Sequence, residues 1–255
     1  DVFVALPGVT ADGRDYIDHA VERHAAAVLF EKQGSSREDR SAGHIPLIGI
    51  SNLRKQLGEI ASRYYNLPSR QMKVVGVTGT NGKTTTAYLV AQALDKQNWS
   101  CFYSGTVGTG RVGALQPSSL TTVDAISMHR MLSGFVEKGA NALAMEVSSH
   151  GLDQGRANGV EFDVGVFTNL TQDHLDYHKS MQRYGEAKAR LFEFPSIGTA
   201  VVNVDDEFGK SLFETLNARP NGPACITYGT GDADLVPKNR VIDDQGIQFE
   251  LKYGG

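Results

Sequence analysis

Lys73-Val-Val-Gly-Val-Thr-Gly-Thr-Asn-Gly-Lys-Thr-Thr85 decides the fold. Lys73 to Val77 reads as a buried strand, Thr78 to Lys83 as a glycine-bearing loop, and Thr84 to Asn98 as a helix. That context gives Gly79-Thr-Asn-Gly-Lys-Thr-Thr85 the character of a phosphate loop. Its glycines let the backbone curl, so that N–H groups point inward and form an anion nest with the helix N-terminus. Lys83 is placed for the β- and γ-phosphates and the Thr84 hydroxyl for Mg2+. The candidate nucleotide-binding residues are therefore Gly79, Thr80, Asn81, Gly82, Lys83, Thr84 and Thr85. One position departs from the standard pattern: Val77 stands where a glycine is usual, six residues before the lysine. The bland alternative is a glycine turn that merely caps a helix. Even granted ATP or GTP, the loop alone fits kinases, GTPases and ligases equally well.

Downstream, strand and helix signals alternate. Cys101–Tyr103, Leu143–Val147, Val164–Phe167 and Thr199–Val204 read as strands. Met128, Met131, Leu132, Phe135 and Val136 mark one helix, and Ser180–Phe192 is another. This predicts an α/β fold with a mostly parallel sheet covered by helices. The tail differs, because two apolar runs flanking Asp243-Asp-Gln-Gly246 read as an antiparallel hairpin. Upstream, Val2–Leu6, Ala27–Phe30 and Ile45–Ile50 are strand candidates, with a helix around Tyr16 to His24. Ser51 is the expected N-cap of a helix presenting Leu53, Leu57, Ile60, Ala61 and Tyr64 on one face. Asn66–Gln71 reads as a linker, which predicts domains at 1–70 and 71–255. Both ends look cut, so a fragment of a longer protein is expected.

The composition sets limits. The 255 residues are 40% hydrophobic and 21% charged, with a net charge of −4, an ordinary globular balance without a basic patch. Nucleic acid and an anionic membrane are not expected as partners. Cys101 and Cys225 fit no metal or redox spacing and read as reduced thiols. No apolar run approaches the roughly 20 residues of a membrane span, and no signal peptide opens the chain, so a cytoplasmic protein is expected.

Lys188 is the informative oddity, because it falls within the apolar stripe formed by Met181, Tyr184, Leu191 and Phe192. Three readings stand open: an ammonium that snorkels past the core edge, a desolvated neutral amine, or a carbamate formed with carbon dioxide. Glu146 closes a strand, where a carboxylate meets a nucleotide's Mg2+ or simply caps the next helix. His174 and His178, four apart, suit zinc if helical, but no third soft ligand lies nearby. One histidine serving a magnesium or phosphate site fits better.

Together Gly79–Thr85, Glu146-Val-Ser-Ser-His-Gly151, Asn169-Leu-Thr-Gln-Asp-His-Leu-Asp-Tyr-His178, Glu186-Ala-Lys188 and Val202-Asn-Val-Asp-Asp206 resemble the Mur ligases. The likeness is strongest to the members that add the third amino acid to UDP-N-acetylmuramoyl-dipeptide. Pro7-Gly-Val-Thr-Ala-Asp-Gly-Arg-Asp-Tyr-Ile17 is similar to their uridine-domain segment, and Thr121-Thr122 and Gln154-Gly-Arg156 to their substrate contacts. The resemblance implies a partial uridine-binding domain, then most of a central ATPase domain, with the amino-acid-holding third domain absent. It implies ATP and Mg2+ as cofactors and a carbamate on Lys188. One Mg2+ would take Thr84 and Glu146, the other Glu146, His174 and the carbamate. Lys83, Lys188 and His174 are the implied catalytic residues. Val9, Thr10, Ala11, Thr121, Thr122, Ser148, Gln154 and Arg156 are the implied substrate contacts, Arg156 meeting a carboxylate or phosphate through its planar fork.

The implied partners are UDP-N-acetylmuramoyl-dipeptide and a free amino acid, handled by a monomer. Meso-diaminopimelate is expected over lysine as the third amino acid. Competing readings are the D-Ala-D-Ala-adding Mur enzyme, folylpolyglutamate synthetase, a kinase or GTPase, and a non-catalytic nucleotide-binding module. A GTPase should offer Asn-Lys-x-Asp, and the sequence has none.

Overall fold

The computed structural model describes residues 1–8, 11–35, 40–118, 120–244 and 246–254. The first part comprises β1 (Val2–Ala5), α1 (Ile17–Glu22), β2 (Ala27–Glu31), β3 (Arg40–Ala42), β4 (Ile45–Ile50) and α2 (Leu53–Tyr64). Its strands form a sheet in the order β1-β2-β4-β3, parallel except where β3 runs against β4. Ala5, Ile17, Val28, Phe30 and Leu47 close a small core beneath it.

The start of α2 corrects the expected Ser51 cap. Asn52 precedes the helix in a left-handed conformation (φ 57°) and makes no side-chain cap. The Glu31 carboxylate, at the end of β2, accepts from the amides of Asn52 (3.0 Å) and Leu53 (2.8 Å) instead. The cap is thus borrowed from 21 residues upstream, where no local pattern would reveal it. Tyr64, expected on the buried face, is exposed; Leu53, Gly58, Ala61 and Ser62 are the buried residues. The supposed linker is docked structure, a 3-10 turn over Pro68–Gln71 with Pro68 and Ser69 buried and Arg70 paired to Glu161 at 2.5 Å.

The second part runs β5 (Lys73–Thr78), α3 (Lys83–Lys96), β6 (Cys101–Gly105), β7 (Gly108–Arg111), α4 (Ala125–Glu137), β8 (Ala142–Glu146), α5 (Ser149–Asp153), β9 (Val164–Phe167), α6 (Leu175–His178), α7 (Met181–Ala189), β10 (Thr199–Asn203), α8 (Glu207–Asn217), β11 (Ala224–Tyr228), β12 (Leu235–Asp243) and β13 (Gly246–Tyr253). Its strand order is β13-β12-β11-β10-β9-β5-β8-β6-β7. Pairing is parallel throughout except β12 with β13 and β6 with β7. The expected hairpin is present, and its first strand begins earlier, at Leu235. Every residue of β8 is buried, as a central parallel strand requires. β5 lies between β8 and β9, where the winding reverses, so the carboxyl ends of these three strands open a crevice. Among the described residues no helix is long and apolar enough to cross a membrane.

Candidate functional site

The loop between β5 and α3 is built by a backbone that only glycine tolerates. Gly79 has φ 147°, and a Cβ there would lie 1.8 Å from the Thr168 hydroxyl. The segment after β9 braces the loop. The Thr80 amide donates to the Asn169 carbonyl (2.8 Å), the Asn81 amide to Asn169 Oδ1 (3.0 Å), and the Thr168 hydroxyl to the Asn81 carbonyl (2.6 Å). A cavity of about 390 Å3 opens above it, taking in Thr80 to Thr85 together with Thr121, Glu146, Ser148, His174 and Lys188.

Glu146, at the end of β8, is fully buried, and a buried carboxylate is costly unless its lone pairs are met. They are met. Oε1 accepts from the Tyr103 phenol (2.5 Å) and the Thr106 amide (2.8 Å). Oε2 accepts from the hydroxyls of Thr84 (2.9 Å) and Thr106 (3.1 Å). The pair Thr84 Oγ1 and Glu146 Oε2 supplies adjacent oxygen donors, the chemistry a hard cation such as Mg2+ takes.

Lys188 does not snorkel. It is 1% exposed, and its Nζ donates to the Gly79 carbonyl at 2.6 Å and lies 4.1 Å above the Tyr184 ring. Burial, and then the neighbouring Lys83 ammonium, push its pKa from 10.5 down to about 7. Lys83 donates to the carbonyls of Gly79 (2.9 Å) and Thr80 (2.8 Å), which leaves one of its three protons for a phosphate oxygen. Burial lowers its pKa as well, against the pull of Glu146.

His174 and His178 do not form a helical zinc pair. His174 precedes α6 in a left-handed conformation, and His178 is buried with Nε2 3.0 Å from the Ser149 hydroxyl. Among the described residues no group of three or more His, Cys, Asp or Glu side chains has a metal-binding arrangement. His174 instead borders the cavity, its ring 6.1 Å from that of Tyr184, the ring Lys188 covers from 4.1 Å.

The expected substrate contacts divide. Thr121 and Ser148 face the cavity. Thr122 is buried behind them, its hydroxyl donating to the Glu146 carbonyl (3.1 Å) and accepting from the Ser148 amide (3.0 Å). Ser148 caps α5 through the Gly151 amide. Arg156 directs Nε and Nη2 at Gln154 Oε1 and Nη1 at the Thr122 carbonyl, so its fork is held by the protein's own oxygens. Gln154 and Arg156 lie outside the cavity lining. Ala11 accepts from the Gly8 amide, while Val9 and Thr10 lie outside the described residues.

Tyr103, Thr106 and Tyr184 were missed as site residues. Thr106 follows the carboxyl end of a strand, where ligands gather in open α/β sheets, and that rule would have found it. Tyr103 and Tyr184 carry no such mark, since an aromatic in a buried strand or helix stripe reads as core.

Residues 77–254 match the family profile described as the Mur ligase middle domain, and residues 1–65 that described as the Mur ligase family catalytic domain. The UDP-N-acetylmuramoyl-L-alanyl-D-glutamate–2,6-diaminopimelate ligase of Pseudomonas aeruginosa is 49% identical, over 98% of this chain and 51% of that protein. The enzyme of the same name from Pseudomonas putida is 46% identical with the same coverage. A solved structure of a ligase of that name superposes with a TM-score of 0.86 at 32% identity, over 98% of this chain and 50% of that one. The chain spans about half the length of the curated relatives it matches.

Proposed function

The chain belongs to the Mur ligase family, and from that premise we propose that it carries the ATP and metal centre of an ATP-dependent ligase that joins diaminopimelate to UDP-N-acetylmuramoyl-L-alanyl-D-glutamate. The observation that supports this most is the meeting of the phosphate loop, Glu146, His174 and Lys188 around one cavity. The relatives' shared name favours diaminopimelate over lysine. We assign residues 1–70 to a uridine-nucleotide domain and 71–255 to the ATPase domain.

The phosphate-loop amides and Lys83 hold the β- and γ-phosphates and set the γ-phosphoryl group toward the crevice. Thr84 and Glu146 would hold one Mg2+, and Glu146, His174 and a carbamate on Lys188 a second. Bound there, the cations offset the repulsion between an anionic carboxylate and the triphosphate. A Lys188 amine with its pKa near 7 has a substantial share of the neutral form that reacts with carbon dioxide at neutral pH. Thr121 and Ser148 face the same cavity and position the muramoyl-dipeptide. Its terminal glutamate carboxylate then takes the γ-phosphoryl group. The amine of diaminopimelate attacks the resulting acyl carbonyl, and phosphate leaves with one former carboxylate oxygen.

That last detail gives the test. The dipeptide substrate, labelled with 18O in the terminal carboxylate, is offered with ATP and diaminopimelate to the protein at its relatives' full length. One 18O per phosphate released is expected, and unlabelled phosphate would rule out the acyl-phosphate route.

A further inference from the structure

The four hydrogen bonds to Glu146 are not equivalent. Oε1 is met by two groups whose positions are fixed: the Thr106 backbone amide and the phenol oxygen of Tyr103, carried on a buried ring. Tyr103 is fully buried in β6, its ring edge-on to Tyr88 with centroids 5.7 Å apart. It pairs in register with Ala144, two residues before Glu146 on the same face of β8, so the phenol's length carries its oxygen diagonally to the carboxylate. Gly105 clears the space for this contact, since a Cβ there would lie 2.1 Å from Glu146 Oε1 and 2.3 Å from the phenol oxygen. Oε2, by contrast, is met among the described residues only by the hydroxyls of Thr84 and Thr106, which rotate and can offer lone pairs instead.

Resting on the reading of Glu146 as a cation ligand, we propose that Tyr103 is a positioning residue that occupies Oε1 of Glu146, leaving Oε2 alone to meet divalent cations. The phenol binds nothing itself; it fixes which oxygen is offered and in what direction. Partners that orient a ligand in this way typically change metal affinity about 10- to 100-fold when removed.

Mn2+ titrated into the protein with a non-hydrolysable ATP analogue present, followed by the electron paramagnetic resonance of free Mn2+, tests this. Tyr103→Phe should weaken Mn2+ binding about 10-fold while leaving metal-free ADP affinity unchanged. Equal losses in both affinities would assign Tyr103 a merely structural role and overturn the proposal. Wild-type Mn2+ affinity in Tyr103→Phe, with binding lost in Glu146→Gln, would overturn the positioning role and leave the cation site standing. Retained binding in Glu146→Gln would remove the cation site itself. A second measurement needs no folded Tyr103 variant. The infrared carboxylate bands of the wild type that shift on adding Mn2+, and are missing in Glu146→Gln, should show the wide splitting of one-oxygen coordination. The narrow splitting of a two-oxygen chelate would contradict the proposal.

Discussion

Lys83 and Lys188 share one acceptor: both ammonium groups donate to the carbonyl oxygen of Gly79, at 2.9 and 2.6 Å. Burial, and then the repulsion between two cations on one neutral oxygen, acts on the more deeply buried of them, Lys188, whose pKa falls to about 7. The folded-state pKa lies below the unfolded value of 10.5, so the unfolded chain binds more protons between those limits. The cost of burying Lys188 is therefore fully present below about pH 7 and relieved as pH rises toward 10.5. Urea unfolding without bicarbonate or Mg2+ should show wild type gaining on Lys188→Met by about 2 kcal/mol between about pH 7 and about pH 9. A pH-independent difference would mean that Lys188 stays charged.

The same amine should take up carbon dioxide. With 13C-bicarbonate and Mg2+ present, a carbamate carbon signal is expected in the wild-type spectrum and not in that of Lys188→Met. Lys188→Arg should not restore activity, because a fixed cation cannot imitate an anionic ligand. A bare ammonium under these conditions would remove the carbamate from the mechanism.

Gly79→Ala should damage both stability and binding. The new methyl group would meet the Thr168 hydroxyl at 1.8 Å and strain a backbone at φ 147°. A stability loss of about 1–3 kcal/mol is expected, with nucleotide binding lost because the clash displaces the residue-79 carbonyl that both lysines use. Calorimetric unfolding and ADP titration read the two effects separately.

The phosphate loop, the parallel sheet and the closing hairpin were legible because each leaves a local trace: a glycine loop between strand and helix, apolar runs at regular spacing, a turn between alternating strands. Lys188 was legible as an anomaly, and its meaning came only when burial and the Gly79 carbonyl were seen. Glu31 capping α2 and Tyr103 holding Glu146 span 21 and 43 residues respectively, and pairings at such range leave no local pattern. Tyr64 was misplaced because helical spacing fixes which residues share a face, not which face the rest of the fold covers.

The long-range cap has its own consequence. Glu31 accepts from the amides of Gln33, Asn52 and Leu53. Glu31→Ala should lose about 2–3 kcal/mol of stability, read as a lower unfolding midpoint, and leave nucleotide affinity at the phosphate loop unchanged. An unchanged midpoint would mean that water replaces the carboxylate at no cost.

The most direct measurement is calorimetric titration of this chain with a non-hydrolysable ATP analogue and Mg2+, beside Lys83→Ala. Removing a charge-assisted contact worth about 1.5–3 kcal/mol should weaken binding about 10- to 100-fold. One analogue bound per chain, with that loss in the variant, is the predicted result. No binding to the wild type, or equal binding to both proteins, would contradict the assignment of this loop as the ATP site.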